Sequence, residues 1–390
     1  MTYKIPYGKQ FISQEDTDAV VAALHSDFLT QGPKIAEFEK NFAKYIGCKY
    51  AVAVSNGTAA LHLPLLAAGL KKGDAIITTP ITFAASANAA RYCDATVYFA
   101  DIDPDTYVIS TESVKKLLLQ HPKGFFKAIV PVDFTGYPVN LEELKKLADE
   151  NGLFILEDAC HSPGGYFIDS KGQKQNCGNG NFANAAAFSF HPVKHIAAGE
   201  GGMITTNDEA LYKKLLLLRT HGISKENMRY DFPEAEQQGA WYYEMQDLGY
   251  NYRITDIQAA LANSQLTRAD AGIKRRQEIA AKYRQAFANT KIKMQKHDNN
   301  HFNAHHLFVI EVANRKAFYD FLIGNGIFAQ IHYVPVHLMP YYRQFGWKPG
   351  DFPAAENYYK GCISLPMYPT LTNQEQDFVI NKTLEFINGR

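Results

Sequence analysis

The densest grouping of chemically useful residues is Phe188-Ser189-Phe190-His191-Pro192-Val193-Lys194, followed by Gly199-Glu200-Gly201-Gly202. A lysine in a polar loop between two apolar runs can carry its amine to a ligand at a sheet edge. Ser189 offers a hydroxyl to a phosphate, and the glycines let backbone pass close by. A solvated loop lysine is the ordinary alternative. A second grouping, Glu157-Asp158-Ala159-Cys160-His161-Ser162-Pro163-Gly164, closes the apolar run Leu153–Leu156. A carboxylate there stands at the C-terminal edge of a sheet, where open α/β sheets place ligands. Once buried it needs a cation, and a protonated ring nitrogen would provide one. A helix cap or a metal ligand would use the same residue types, but one Asp and one His without a third clustered ligand argue against metal. A third grouping, Ser55-Asn56-Gly57-Thr58, joins the run Tyr50–Val54 to the helical stretch Ala59–Leu70. Helix N–H groups placed there form a phosphate cradle, although the same residues serve equally well as helix caps.

These groupings need a frame. Seven short apolar or β-branched runs, Tyr50–Val54, Ala75–Thr79, Thr96–Phe99, Lys127–Val132, Leu153–Leu156, Ala185–Phe190 and Gly202–Thr206, read as strands. Helical stretches such as Val114–Gln120 and Leu141–Asn151 separate most of them, which predicts a mostly parallel, doubly covered sheet of α/β class. Before the sheet, Ile35, Phe38, Phe42 and Tyr45 recur at helical spacing between Pro33 and Gly47, a helix over 34–46. From His221 to Asn251 the periodicity stops and aromatic residues gather, including Trp241, Tyr242, Tyr243 and Tyr250. Long irregular segments in compact domains are usually functional. A helix at about Thr255–Leu266 and the charged stretch Lys274–Arg284 then lead to a smaller α+β part, with a strand at His306–Val312, a helix at Arg315–Gly324, a strand at Phe328–Tyr333 and a helix near Gln374–Ile387. The expected division is 1–268 and 269–390, as befits a 390-residue chain.

Composition narrows the partners. Lys+Arg and Asp+Glu both number 40, so no global field draws nucleic acid or an anionic membrane surface. No apolar run approaches the roughly 20 residues that span a bilayer. Met1 to Gln14 lacks the apolar core of a signal peptide, and the expected location is the cytoplasm. Five scattered cysteines, Cys48, Cys93, Cys160, Cys177 and Cys362, show neither a CxxC pair nor a zinc-like His spacing and read as free thiols. Cys160 reads as a small buried filler. Expected partners are small molecules or further copies of the chain, with no metal.

In their order along the chain, S-N-G-T, E-D-A-C-H, F-S-F-H-P-V-K-H and G-E-G-G resemble the DegT/DnrJ/EryC1/StrS sugar aminotransferases over nearly the whole length. Within that family E-D-A-C-H, Y-Y-E-M-Q-D-L-G-Y-N-Y-R and H-Y-V-P-V-H-L most resemble the branch that transaminates UDP-4-keto-6-deoxy-N-acetyl-β-L-altrosamine in pseudaminic acid biosynthesis. The resemblance implies the pyridoxal-phosphate-dependent transferase fold type I, aspartate aminotransferase-like, with a seven-stranded sheet. It implies pyridoxal 5'-phosphate as cofactor, with Lys194 as Schiff-base lysine and proton shuttle, Asp158 paired with the pyridine nitrogen, Phe83 stacked on the ring and His161 near the phenolic oxygen, a place where many members carry Gln. Gly57, Thr58 and Ser189 would hold the phosphate, with Asn251 arriving from the second subunit of a homodimer whose active sites are shared. For the UDP-sugar the resemblance points to Tyr7, Leu29, Thr30, Gln31, Gly32, Ser55, Gln330, Ile331, His332 and Tyr333, with Ser189 and Asn251 adjoining; ordinary interface packing is the alternative for Tyr7 and Tyr333. Arg253 suits a sugar or diphosphate contact or a structural ion pair. The expected reaction is ping-pong, L-glutamate donating the amine to the cofactor and the cofactor passing it to the C4 ketone. A different nucleotide-linked keto-sugar is the alternative substrate. A non-catalytic regulatory relative should lack Lys194 or Asp158, and the family's dehydratases replace the lysine with His; here both residues stand, with His195 following Lys194.

Overall fold

The computed structural model describes residues 4–226, 228–232 and 234–389. Met1–Tyr3, at the start of the segment tested above for a leader, and Asn227 and Pro233, inside the irregular segment, lie outside the described residues. The chain enters through an extended segment whose Ile5–Pro6 pairs in parallel with Ile327–Phe328, and continues into helix α1 (Gln14–Leu24) and helix α2 (Pro33–Ile46). Helix α2 begins with Pro33 in its first turn and stops at Gly47, whose positive φ closes the helix without a Cβ penalty.

Seven strands build the central sheet: β1 (Tyr50–Val54), β2 (Ala75–Thr78), β3 (Thr96–Phe99), β4 (Phe126–Val130), β5 (Phe154–Asp158), β6 (Ala185–Ser189) and β7 (Gly202–Thr206). Their spatial order is β1-β7-β6-β5-β4-β2-β3. All neighbours pair in parallel except β7, which runs antiparallel to both β1 and β6. The seven runs read from the sequence are these seven strands, with ends moved by one or two residues. The strands are buried nearly throughout because helices cover both faces. Among them α3 (Gly57–Ala67), α4 (Ala84–Arg91), α5 (Thr111–Leu119), α6 (Leu141–Asn151) and α7 (Glu209–Arg219) follow β1, β2, β3, β4 and β7. Helix α3 is apolar nearly all round, as expected of a helix enclosed by other elements.

The irregular segment after α7 holds one short ribbon, Ile223–Ser224 against Glu244–Met245. Helix α8 (Asp256–Leu266) starts on a capping box between Thr255 and Gln258. The charged stretch that follows is a helix, α9 (Ala269–Phe287), whose buried face includes Ile273, Arg276, Ile279, Ala280, Tyr283 and Phe287. Beyond it Lys293–Met294, Phe308–Glu311 and Cys362–Leu365 form an antiparallel three-stranded sheet, packed with α10 (Arg315–Gly324) and the final helix Asn373–Ile387 around a second apolar cluster. The strand expected at Phe328–Tyr333 is shorter than read: pairing with Ile5–Pro6 ends at Phe328. Gln330 then exchanges backbone hydrogen bonds with Ser364, and His332 Nδ1 meets Ser364 Oγ at 2.8 Å, so the chain leaves the ladder. No helix among the described residues is long and apolar enough to cross a membrane, and all five cysteines are free.

Candidate active site

Asp158 is the last residue of β5 and only 4% exposed. Its Oδ2 accepts a 2.6 Å hydrogen bond from Ser86 Oγ in the first turn of α4, and its Oδ1 accepts one from Cys160 N at 3.2 Å. Thr82 Oγ1 lies 2.7 Å from the same Ser86 hydroxyl. Both partners of the carboxylate are neutral, so a buried negative charge stands at the sheet's C-terminal edge with hydrogen bonds but without a bonded cation. Ser86 is a residue that sequence reading missed, since nothing local ties a serine after β2 to an aspartate at the end of β5.

Gly57 opens α3, whose first turn is capped by Asn56 Oδ1 accepting from Ala59 N. A Cβ at Gly57 would stand 2.8 Å from Ser189 Cβ, so the Ser189 side chain at the end of β6 sits directly against the helix N-terminus. At Gly202 a Cβ would meet Asn56 O at 2.3 Å, which explains a glycine where β7 passes this turn. Ser55 to Thr58 are half-buried, leaving access to the helix N–H groups.

Lys194 lies in the loop after β6, its backbone N–H bonded to His191 O at 2.9 Å. Its amine has no hydrogen-bond partner among the described residues. Burial lowers its pKa, and Arg276 adds to this while Cys160 and Asp158 oppose it. His161 is 5% exposed, and burial followed by the Lys194 charge holds its imidazole neutral. Its Nε2 meets Tyr333 Oη at 3.4 Å, its Nδ1 has no partner, and the His306 ring lies 4.3 Å away between centroids. Phe83, N-cap residue of α4, is 61% exposed with its ring 6.1 Å from Tyr333. Tyr7 stacks obliquely on His332 at 5.3 Å.

The fold thus gathers Gly57, Thr58, Phe83, Asp158, His161, Ser189 and Lys194 on strand ends, helix starts and loops at one edge of the sheet, with Tyr7, His332 and Tyr333 beside them. Gln330 and Ile331 adjoin through the backbone. Leu29 to Gly32 are tied instead to the start of α8, Gly32 N donating to Asp256 Oδ2 at 2.8 Å. Asn251 is exposed and bridges Thr220 through its backbone, next to Tyr252, whose carbonyl accepts from Ser55 N at 2.8 Å.

Among the described residues the one cluster of possible metal ligands is Asp133, Glu157 and Cys177, whose ligand atoms lie within 4.8 Å of one another. Asp133 accepts from Ser162 Oγ and Val139 N, and Glu157 accepts from Gly178 N. Burial first and then the Asp133 charge raise the Glu157 pKa well above the carboxylate range. A proton shared between the two carboxyls accounts for the arrangement.

A cofactor with a cationic ring nitrogen, a phenolic oxygen and a phosphate fits these residues. Asp158 lacks a bonded cation, His161 Nδ1 lacks a partner, Lys194 offers an unpaired amine, and Ser189 with the first turn of α3 offers phosphate donors. Together with a mostly parallel sheet carrying the site on its C-terminal edge, this defines a pyridoxal-phosphate-dependent enzyme of fold type I. The chain belongs to the DegT/DnrJ/EryC1/StrS aminotransferase family, whose description matches residues 10–384, and it is a sugar aminotransferase. It is 40% identical to the spore coat polysaccharide biosynthesis protein SpsC of Bacillus subtilis over 99% of this chain and 97% of that one. It is 34% identical to the UDP-4-amino-4,6-dideoxy-N-acetyl-beta-L-altrosamine transaminase of Campylobacter jejuni, covering 96% of this chain and 95% of the relative. Helicobacter pylori PseC, an aminotransferase involved in the biosynthesis of pseudoaminic acid, superposes with a TM-score of 0.88 at 30% identity, covering 99% of this chain and 100% of that one.

Proposed function

We propose that this aminotransferase moves the amino group of L-glutamate to C4 of UDP-4-keto-6-deoxy-N-acetyl-β-L-altrosamine, a step of pseudaminic acid biosynthesis. The observation that carries the proposal is the likeness to the Campylobacter transaminase along 96% of this chain. The bound cofactor supplies an exchangeable carbonyl and an electron-accepting ring.

The chain's own residues take the following parts in this reading. Lys194 holds the cofactor and, once freed, moves a proton to or from the substrate carbon that exchanges the amine; the burial that lowers its pKa favours the neutral amine this needs. Asp158, fixed by Ser86, faces the ring nitrogen and keeps it protonated. Phe83 covers one ring face, and neutral His161 meets the phenolic oxygen. Gly57, Thr58 and Ser189 grip the phosphate. Tyr7, Leu29–Gly32, Ser55 and Gln330–Tyr333 surround the UDP-sugar. Asn251 serves the site of a second copy, which makes the working unit a homodimer. Supporting this, Asn251 is exposed, and Trp241, Met245 and Leu248 in the preceding segment are 73%, 64% and 70% exposed. The same reading divides the chain into a large cofactor-binding domain with the N-terminal segment, 1–268, and a small C-terminal domain, 269–390.

A second substrate reading has its own support, because identity to the Bacillus spore coat polysaccharide protein is higher, 40%. In that second reading the acceptor of this chain is another nucleotide-linked keto-deoxysugar. Absorption spectra separate the two: glutamate should abolish the visible band of the purified enzyme, and the altrosamine keto-sugar should restore it. Restoration by a different UDP-keto-sugar alone would transfer the assignment to the second reading.

A further inference from the structure

The N-terminal segment, the Lys194–His195 turn, α9 and the 369–370 turn line a cavity of about 250 Å³ that neither Asp158 nor Phe83 lines. A single water needs about 10–15 Å³ on this measure, so there is room for a small organic molecule. Its ionisable lining is entirely basic: Lys9, Lys194, His195, Arg268, Arg275 and Arg276, without an aspartate or glutamate. Two of the arginines are already neutralised. Arg268 is paired with Asp16, and Arg275 with Glu278.

Arg276 is different. It is 2% exposed and has no ion-pair partner among the described residues; its hydrogen bonds all come from Nη1, to the carbonyls of His305, His306 and Met367 at 3.0–3.2 Å. Its Nε is buried without a partner. Nη2 makes no hydrogen bond among the described residues, so it is the charged donor left for a carboxylate or phosphate oxygen in the cavity that Arg276 lines. A buried cation held only by carbonyl dipoles is costly, and an oxyanion beside it repays desolvation more fully than water does. Lys9, exposed and lining the same cavity, adds a second positive charge with no ion-pair partner among the described residues.

We propose that this cavity is a binding site for a small dianion bearing carboxylate or phosphate oxygens, held by Arg276 and Lys9. The site is separate from the cofactor phosphate cradle, and the inference does not depend on which sugar the enzyme aminates. A dianion seated there adds negative charge beside the Lys194–His195 turn, so it couples small-anion concentration to the catalytic loop.

Calorimetric titration of the cofactor-loaded enzyme with glutarate and, separately, with inorganic phosphate, at constant ionic strength set by chloride, tests this. Loading the enzyme removes the phosphate cradle as a competing site. The expected result is one saturable site per chain for at least one of the two probes, weakened about tenfold or more in Lys9→Ala and in Arg276→Gln, the loss of one charge-assisted contact. Whichever probe binds tells a dicarboxylate site from a phosphate site. Glutarate binding that both variants retain belongs to the catalytic pocket and, unless phosphate binding is weakened in the variants, overturns the proposal. Because Arg276 is buried, Lys9→Ala decides if Arg276→Gln does not fold. Absence of saturable binding by either probe, or wild-type affinity in Lys9→Ala, overturns the proposal and leaves Arg276 as a structural clamp between α9 and the two carbonyl-bearing turns.

Discussion

Replacing Gly57 by alanine tests the phosphate cradle at its tightest point. The new Cβ would lie 2.8 Å from Ser189 Cβ, 3.1 Å from its Oγ and 3.6 Å from Cys160 Sγ. Carbon atoms rest at about 3.5–4.0 Å, so the first contact is short by roughly 0.7–1.2 Å. Ser189 pairs with Gly202 in the β6–β7 ladder, so the strand resists moving and the first turn of α3 must yield. Overpacking of this kind costs about 1–3 kcal/mol, partly offset by the gain of up to about 1 kcal/mol that Ala has over Gly in a helix. The net effect on folding is therefore modest, a loss on the order of 0–2 kcal/mol. The effect on the cofactor should be larger, because shifting the helix N-terminus away from Ser189 breaks at least one hydrogen bond to a charged group, worth about 1.5–3 kcal/mol. That converts to roughly 10–100-fold weaker pyridoxal phosphate binding. Titrating cofactor into the stripped protein by absorbance, alongside a melting curve, separates the two effects. Activity should largely return at saturating cofactor. Wild-type cofactor affinity in Gly57→Ala would refute the assignment of the cradle, whatever the melting temperature.

Four further outcomes follow from the same geometry. Asp158→Asn should keep the fold yet lower the rate of the glutamate half-reaction by about 10²-fold or more, as loss of an electrostatic partner at the reacting ring requires; single-turnover rates close to wild type would remove Asp158 from that role. Ser86→Ala frees the Asp158 carboxylate from its 2.6 Å bond and should cut kcat by roughly 10-fold while leaving the KM for the keto-sugar unchanged. Glu157 is held protonated above its ordinary range by burial and by Asp133, so the folded chain binds more protons than the unfolded one between the ordinary carboxylate range and the raised value, and stability falls as pH rises through that window; Glu157→Gln mimics the protonated acid and should flatten this slope in melting temperature measured against pH, whereas parallel curves would show that the pair is ionised. Gly324→Ala, where an added Cβ meets nothing within 4 Å at the end of α10, should stabilise by about 0.4–1 kcal/mol in a denaturant titration.

What could be read from the sequence and what could not divide along a physical line. The strands of the central sheet were legible because a doubly covered parallel strand must be apolar at nearly every position, and Asp158, Ser189 and the Ser55–Thr58 turn were legible because each ends such a strand, so its place at the sheet edge follows from local chain order. The short ladder after Phe328 was not, because the hydrogen bonds that draw the chain away come from Ser364, on a strand that the local pattern does not reveal. The same holds inside the site. Ser86 reaches Asp158 across 72 residues of sequence, Tyr333 reaches His161 across 172, and Arg276 reaches Met367 across 91. The resemblance had already pointed to Tyr333 and His161, though not to their contact; a serine and an arginine of this kind are common residues in unremarkable local surroundings, and only closure of the fold selects them. Arg276 makes the point most sharply, since along α9 it is one of several Lys and Arg residues on a helix that reads as a charged connector. Its place on the helical period that also buries Ile273, Ile279, Ala280, Tyr283 and Phe287 was available in the sequence. A guanidinium on that face has to find oxygen acceptors inside the protein, and the carbonyls it found leave Nη2 without a hydrogen bond among the described residues, beside a basic cavity.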